Sequence, residues 1–284
     1  MEPSLEKNIK DVMSFFDAKS IADVIQPLFH YTSIETLALI LKNRTIKLNS
    51  LYNVDDKTEG ITKENLRLQK YYFVSCWTNL KEESIPFWKM YTPDMHGVRI
   101  ALPKYPFVFH KIDYKPKNLV IDYDWSFLKE EDFVNNEFLV VPNNKILEKV
   151  EYTNDNALLY PEVLKKRNNG FNLQLSVLGK YKTFDWKFQS EFRYIVRTIP
   201  GGGIITFDIP HWNMADSVYQ AIISEKQMSK DCLFLDIRED AFEKMEILIG
   251  PKANQAEEII INSLAEKYNP RAIINRSKLY GKIK

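Results

Sequence analysis

Glycine is scarce in this chain. Of 284 residues only nine are glycine, and three of those stand together as GGG at 201–203. Neither G-x-G-x-x-G nor G-x-x-x-x-G-K-[ST] occurs, so the glycine-built phosphate cradles of dinucleotide-binding and P-loop folds are excluded. The G-x-S-x-G nucleophile elbow is missing as well. The two cysteines, Cys76 and Cys232, are too few and too far apart for a disulfide framework or a zinc ligand set, which fits a reducing compartment. No apolar run is long enough to span a membrane, and the opening MEPSLEKNIK lacks the hydrophobic segment of a signal peptide. Excess charge is absent too: 39 Lys and Arg stand against 38 Asp and Glu, a formal net charge of +1. Such a balance does not by itself point to nucleic acid or a lipid surface. These absences together predict a cytoplasmic protein with no membrane partner.

What the chain has is aromatic and aliphatic mass. Seventeen Phe, 15 Tyr and five Trp sit within a 45% hydrophobic composition, enough to bury one large core. Apolar spacing predicts one or two helices before residue 25, a strand at PLFHYT, and a helix at SIETLALILKN capped by a Thr32-x-x-Glu35 box. TIKLN and YYFVSCWT read as strands, with a helix at ITKENLRLQK between them. Further strands are expected at VRIAL, FVFHKIDY, NLVIDYDW, SEFRYIVRTI, CLFLDI, MEILIGP and RAIINRSKLYG. PGGG at 200–203 predicts a hairpin turn into IITFDI. NQAEEIIINSLAEKY is an amphipathic helix. The expected organisation is a single domain over 1–284, with N-terminal helices at 1–25 and a mostly helical insertion at about 126–183. Mixed hairpins and helices predict an α+β fold with a largely antiparallel sheet.

Two short stretches carry the candidate chemistry. FHYTS at 29–33 puts His30, Tyr31 and Thr32 where a strand runs into a helix. FQSEFRYIV at 188–196 puts Gln189, Glu191 and Arg193 on one face of a strand by its period of two. Trp88 and Tyr91 in PFWKMYT are spaced to share one side of a helical turn, and Trp77 lies in SCWT. Rings of this kind either pack in a core or stack on a flat heterocycle. The ordinary readings are a helix-capping threonine, a core histidine and a solvated polar strand face. Two other signals compete: Asp122-x-Asp124 has the look of a divalent-metal pair, and Asp55, Asp56 and Glu59 cluster in NVDDKTEG.

Several pieces in order, LFHYTSIETLALILKNRTIKLN, NVDDKTEG, FVSCWTN, PFWKMYTPDMHGVRIAL, WKFQSEFRYIV, LFLDI and ILIGP, resemble a bacterial family known as domain of unknown function 2971. That family is distantly similar to the ADP-ribosyltransferases. The resemblance implies a split, largely antiparallel sheet with flanking helices and a central NAD cleft. It implies Glu191 and His30 as catalytic residues, with His30, Tyr31, Thr32, Trp77, Trp88, Tyr91, Gln189 and Arg193 around NAD as substrate, and no metal. Cleavage of the nicotinamide–ribose bond builds an oxocarbenium-like sugar, which a carboxylate stabilises. The implied activity is ADP-ribosyl transfer to nucleic acid or protein, or simple NAD hydrolysis, in a toxin or phage-defence setting. Two alternatives stay open: a non-catalytic nucleotide or nucleic-acid binding module, and a metal-dependent glycosyltransferase or nuclease built on Asp122 and Asp124.

Overall fold

The computed structural model describes residues 26–111, 125–133, 138–141, 146–167, 170–200 and 219–284. The expected N-terminal helices, the GGG hairpin and the Asp122-x-Asp124 pair lie outside these residues.

A largely antiparallel sheet organises the chain, with β3 (Tyr72–Thr78) at its centre. One edge of β3 is taken along its whole length by β13 (Glu191–Pro200), from Glu191↔Thr78 to Arg197↔Tyr72. The other edge is shared. At the start of β3, Phe73 and Val74 pair with β2 (Thr45–Ser50), which carries β14 (Cys232–Asp236) outside it. At its end, Thr78 alone pairs with β1, through Phe29. Strand β1 (Pro27–Thr32) then continues the sheet through β4 (Val98–Pro103), β15 (Glu246–Ile249) and β16 (Ile273–Arg276). The last pair, β15 with β16, is parallel. The sheet is therefore split along one edge of β3.

Register separates two faces, because cross-strand partners point to the same side. One face carries Leu28, Phe73, Trp77, Ile100, Tyr194, Val196, Leu233 and Ile247, all in the largest apolar cluster. Helices α1 (Ile34–Asn43) and α6 (Gln255–Tyr268) cover it, burying Leu37, Ile40 and Leu41 of the first and Ile261 and Ala265 of the second. The i, i+3, i+4 spacing of the α1 residues is what makes that face continuous. The opposite face carries two smaller clusters, one around Val74, Ile195 and Leu178 and one around Tyr31, Phe87 and Trp88. The second is supplied by α2 (Ile85–Tyr91).

Caps fix the helix ends. The α1 N-cap is Ser33, whose hydroxyl accepts from the Thr36 amide, so the cap lies one residue beyond the expected Thr32. Thr32 is the last residue of β1 and stays in its ladder with β4. At α6 the Asn254–Glu257 capping box is complete. The expected helix at 61–70 forms only a 3₁₀ turn, Leu68–Tyr71.

The segment expected to be mostly helical at 126–183 is mainly short strands among the described residues. These are β6 (Trp125–Ser126), β7 (Phe138–Val140), β8 (Leu147–Lys149), β9 (Glu151–Tyr152), β10 (Leu164–Arg167), β11 (Gly170–Leu173) and β12 (Tyr181–Lys182). An eighth strand before them, β5 (His110–Lys111), joins β6. Only single helical turns appear, α3 (Glu130–Phe133) and α4 (Asn156–Leu159), and α5 (Glu239–Glu243) follows later in the chain. The reason is tertiary: β7 and β8 complete the outer edge of β13, and unpaired backbone donors on a buried strand override local helix propensity.

Two glycines set the path of the loop after α2. A Cβ on Gly97 would lie 2.5 Å from the Thr32 carbonyl oxygen and 2.7 Å from Thr92 Cβ, and one on Gly250 would lie 2.5 Å from the Met95 carbonyl oxygen. Because the clashing atoms at Gly97 include backbone, Gly97→Ala is expected to cost about 2 kcal/mol of stability. A urea titration reads this as a lowered midpoint; an unchanged midpoint would show that the loop yields.

Candidate functional site

The polar residues of FQSEFRYIV do gather, and they gather inside the protein. Glu191 opens β13 just after Ser190, whose left-handed φ of 41° ends the 3₁₀ turn Phe184–Gln189. That bend turns the chain so that Gln189 and Glu191 both meet the Lys182 ammonium, at 3.0 and 2.7 Å. Glu191 Oε1 accepts from Arg193 Nε at 2.5 Å. The other end of the Arg193 guanidinium is bidentate on Glu59, with Nη2 2.9 Å from Oε2, and Nη1 also donates to the Gly179 carbonyl at 3.0 Å. Glu191 is 3% exposed and Arg193 fully buried. Two carboxylates thus face two cations, a neutral quartet under the sheet.

Neutral groups line the quartet. The Tyr91 hydroxyl accepts from the Gln189 amide. The Tyr152 hydroxyl accepts from the Glu191 backbone N–H at 2.9 Å. Cys76, opposite Arg193 in the register, lies beside Glu191. Burial pushes the Tyr91 and Tyr152 phenols up, and burial with the Glu191 charge pushes the Cys76 thiol well up. All three stay protonated at neutral pH, so Cys76 has no thiolate character. Burial is the largest single influence on the Lys182 ammonium and pulls its pKa down, but the charge and hydrogen bond of Glu191, together with Cys76 and Tyr91, outweigh it and the net shift is upward. Burial brings Arg193 down to about 9, against the charge of Asp56. Both cations remain charged at pH 7.

His30 is elsewhere. Glu191 and Phe29 both pair with Thr78, so Glu191, Arg193, Cys76, Phe29 and Tyr31 share one face. His30 and Thr32 alternate to the other. There the His30 ring lies 5.1 Å from the Trp77 ring, and Trp77 packs edge-on against Tyr194. The His30 Nδ1–H donates to the Cys76 carbonyl at 2.8 Å, in the gap where β1 has left β3. The structure therefore does not bring His30 and Glu191 into one contact set. Strand alternation fixes the face of each residue, but only register decides whether two strands' faces coincide.

The aromatic candidates also separate. Trp77 is buried on the His30 face, and Trp88 is fully buried against Tyr31, at 4.8 Å between ring centroids. Neither presents an open ring face. Tyr91 is half-buried beside the quartet. Tyr31 closes the same side, its hydroxyl accepting from the Ser84 amide at 3.3 Å. Sequence reasoning missed Glu59, Lys182 and Tyr152 as members of the site. The signal was faint: Glu59 stood in an acidic loop and Lys182 among scattered lysines. That acidic loop holds no metal set: among the described residues no three His, Cys, Asp or Glu side chains are grouped to hold an ion. Also among them, no helix is long and apolar enough to cross a membrane.

No protein-family model, curated protein or solved structure matches the chain.

Breaking a buried ion pair leaves its partner charged and unpaired, typically at a cost of about 3–5 kcal/mol. Arg193→Ala is expected to destabilise by that amount in a urea titration. Arg193→Lys is expected to recover little, because an ammonium cannot reproduce the bidentate fork. For His30, burial lowers the pKa below 6.5 and the Cys76 carbonyl opposes it only in part. A base with a depressed folded pKa binds fewer protons than in the unfolded chain. Stability is therefore full above pH ~6.5 and declines as pH falls toward the folded pKa. NMR titration of the His30 ring should give a midpoint below 6.5; a midpoint at or above that value would contradict this placement.

Proposed function

We propose that the chain is an NAD-using enzyme of ADP-ribosyltransferase type, with Glu191 as the carboxylate that meets the charge developing on the ribose. The observation that supports this most is the convergence of Tyr31, Tyr91, Gln189, Glu191 and Arg193 from three separate segments onto one face, beside the split in the sheet. In this reading the bond that breaks joins ribose C1′ to the nicotinamide nitrogen. The electron pair leaves with nicotinamide, and an acceptor or water attacks C1′ and gives up its proton.

The residues divide the work. The planar guanidinium of Arg193 keeps Glu191 Oε1 in place. Oε2 is held by the flexible ammonium of Lys182, and it is the oxygen that a ribose hydroxyl would take over. The protonated Tyr91 and the Gln189 amide supply neutral hydrogen-bonding groups. His30 has no reacting role here; its ring ties β1 to the Cys76 carbonyl of β3. The acceptor class, nucleic acid or protein, and a toxin or phage-defence setting rest on the family resemblance.

One observation favours a second reading. Both Glu191 oxygens are already engaged by cations, as in a structural ion cluster. On that reading the protein is a non-catalytic nucleotide or nucleic-acid binding module.

Nicotinamide release from NAD, by the purified protein alone and with bacterial lysate, separates the two. Release is expected, and Glu191→Gln should reduce it by roughly 100-fold or more, the scale of losing one transition-state charge contact. Tyr91→Phe, which removes one oxygen and keeps the ring, should retain the fold and lower release more mildly. No release under any condition from folded protein would leave the binding module as the standing reading.

A further inference from the structure

We propose that the 3₁₀ turn Phe184–Gln189, adjoining the Glu191 quartet, is a stacking platform for the bases of single-stranded nucleic acid. Within six residues this turn carries three large rings. Phe184 is 48% exposed, Phe188 42%, and Trp186 is half-buried. Trp186 and Phe188 lie nearly parallel, 6.3 Å between centroids at an interplanar angle of 29°. Phe188 meets Phe87 edge-on at 6.2 Å, and Phe87 meets Tyr91 at 5.4 Å. A row of rings thus runs from the surface to the residue that contacts Gln189.

Folding does not require the outer rings to stand in water, since burial of a phenyl group is favourable by about 2 kcal/mol. Their cations point to the occupant. Lys187 Nζ sits 5.6 Å from the Phe184 ring centroid and Lys182 Nζ 5.2 Å from that of Trp186. Lys187 is exposed, and no carboxylate pairs with it among the described residues. The carboxylate nearest in sequence, Asp185, accepts from the Thr183 hydroxyl at 3.2 Å. Flat rings flanked by an unpaired ammonium suit a ligand that is aromatic and anionic in alternation, which is a nucleic-acid strand with unpaired bases. A duplex hides its base faces and an apolar peptide has no use for the cation. As the acceptor strand of the transfer reaction, this ligand rests on the function proposed above; as a bound strand, it does not.

Fluorescence anisotropy with a labelled thymidine oligomer of about twelve nucleotides, within the usual span of such sites, tests the platform. The single strand should bind about tenfold more tightly than the same length as duplex. Phe184→Ala with Phe188→Ala should weaken binding tenfold or more, as expected for two lost stacking contacts. Lys187→Ala should weaken it severalfold and reduce the salt slope by roughly one. Glu191→Gln should bind like the parent protein, so loss of turnover and loss of binding are read separately. Absence of single-strand binding, or binding indifferent to the Phe pair, overturns the proposal whether or not nicotinamide is released. So does concentration-dependent self-association abolished by the Phe pair, which would assign the rings to a second copy of the chain.

Discussion

The Arg193 guanidinium has no solvent contact and a full fork of N–H donors to satisfy. Its partners come from three segments: Glu59 in the loop after β2, the Gly179 carbonyl before β12, and Glu191 two residues back on its own strand. Lys182 closes the ring by reaching Glu191 and lying 3.6 Å from Glu59. No member can leave without stranding another, because an unpaired charge in that environment is costly. The quartet therefore ties the loop at 51–60, the β12 segment and the central strand β13 together. It also divides the apolar matter on this side of the sheet into the cluster around Ile195 and the cluster around Trp88.

The split along β3 is the second organising feature, and the two are linked. Strand β3 gives one edge wholly to β13 and divides the other between β2 and β1. Where β1 parts from it, the Cys76 carbonyl would lack a ladder partner, and the His30 imidazole supplies one. The same residue, Cys76, turns its thiol to the quartet on the opposite face. His30 thus supports the site through the backbone of β3 rather than by facing it. A buried ionic cluster contributes less to stability than apolar packing of equal volume often would. Its position at the split, with protonated phenols and a thiol around it, is what gives it chemical interest.

A catalytic carboxylate has to be fixed, charged and reachable by substrate. In the proposed reading, Arg193 and Lys182 meet the first two demands for Glu191 through charge-assisted hydrogen bonds. The third depends on Lys182 yielding its oxygen, and the two cations differ in this respect: a guanidinium fork with three partners is rigid, whereas an ammonium on four methylenes rotates. The exposed rings of the turn Phe184–Gln189 begin where this site ends, so recognition and chemistry would be carried by one continuous segment, 182–193.

Much of the fold was legible in the chain. Alternation at TIKLN and the apolar and aromatic runs of YYFVSCWT and SEFRYIVRTI marked β2, β3 and β13, and the amphipathic pattern of NQAEEIIINSLAEKY marked α6. These are local signals, and local backbone geometry obeys them. The grouping of Glu191 and Arg193 was also legible, since residues two apart on one strand share a side; Gln189, expected on the same strand, lies in the preceding 3₁₀ turn and joins them through the bend at Ser190. What tertiary structure decided was everything that depends on register and on distant partners. A period of two says that His30 and Glu191 each lie on some face, but a shift of one residue in pairing exchanges the faces. Glu59 and Lys182 became members of the site only when the loop and β12 were folded against Arg193. Strands β7 and β8 were hidden because their reason for being extended is the open edge of β13, which no local window contains.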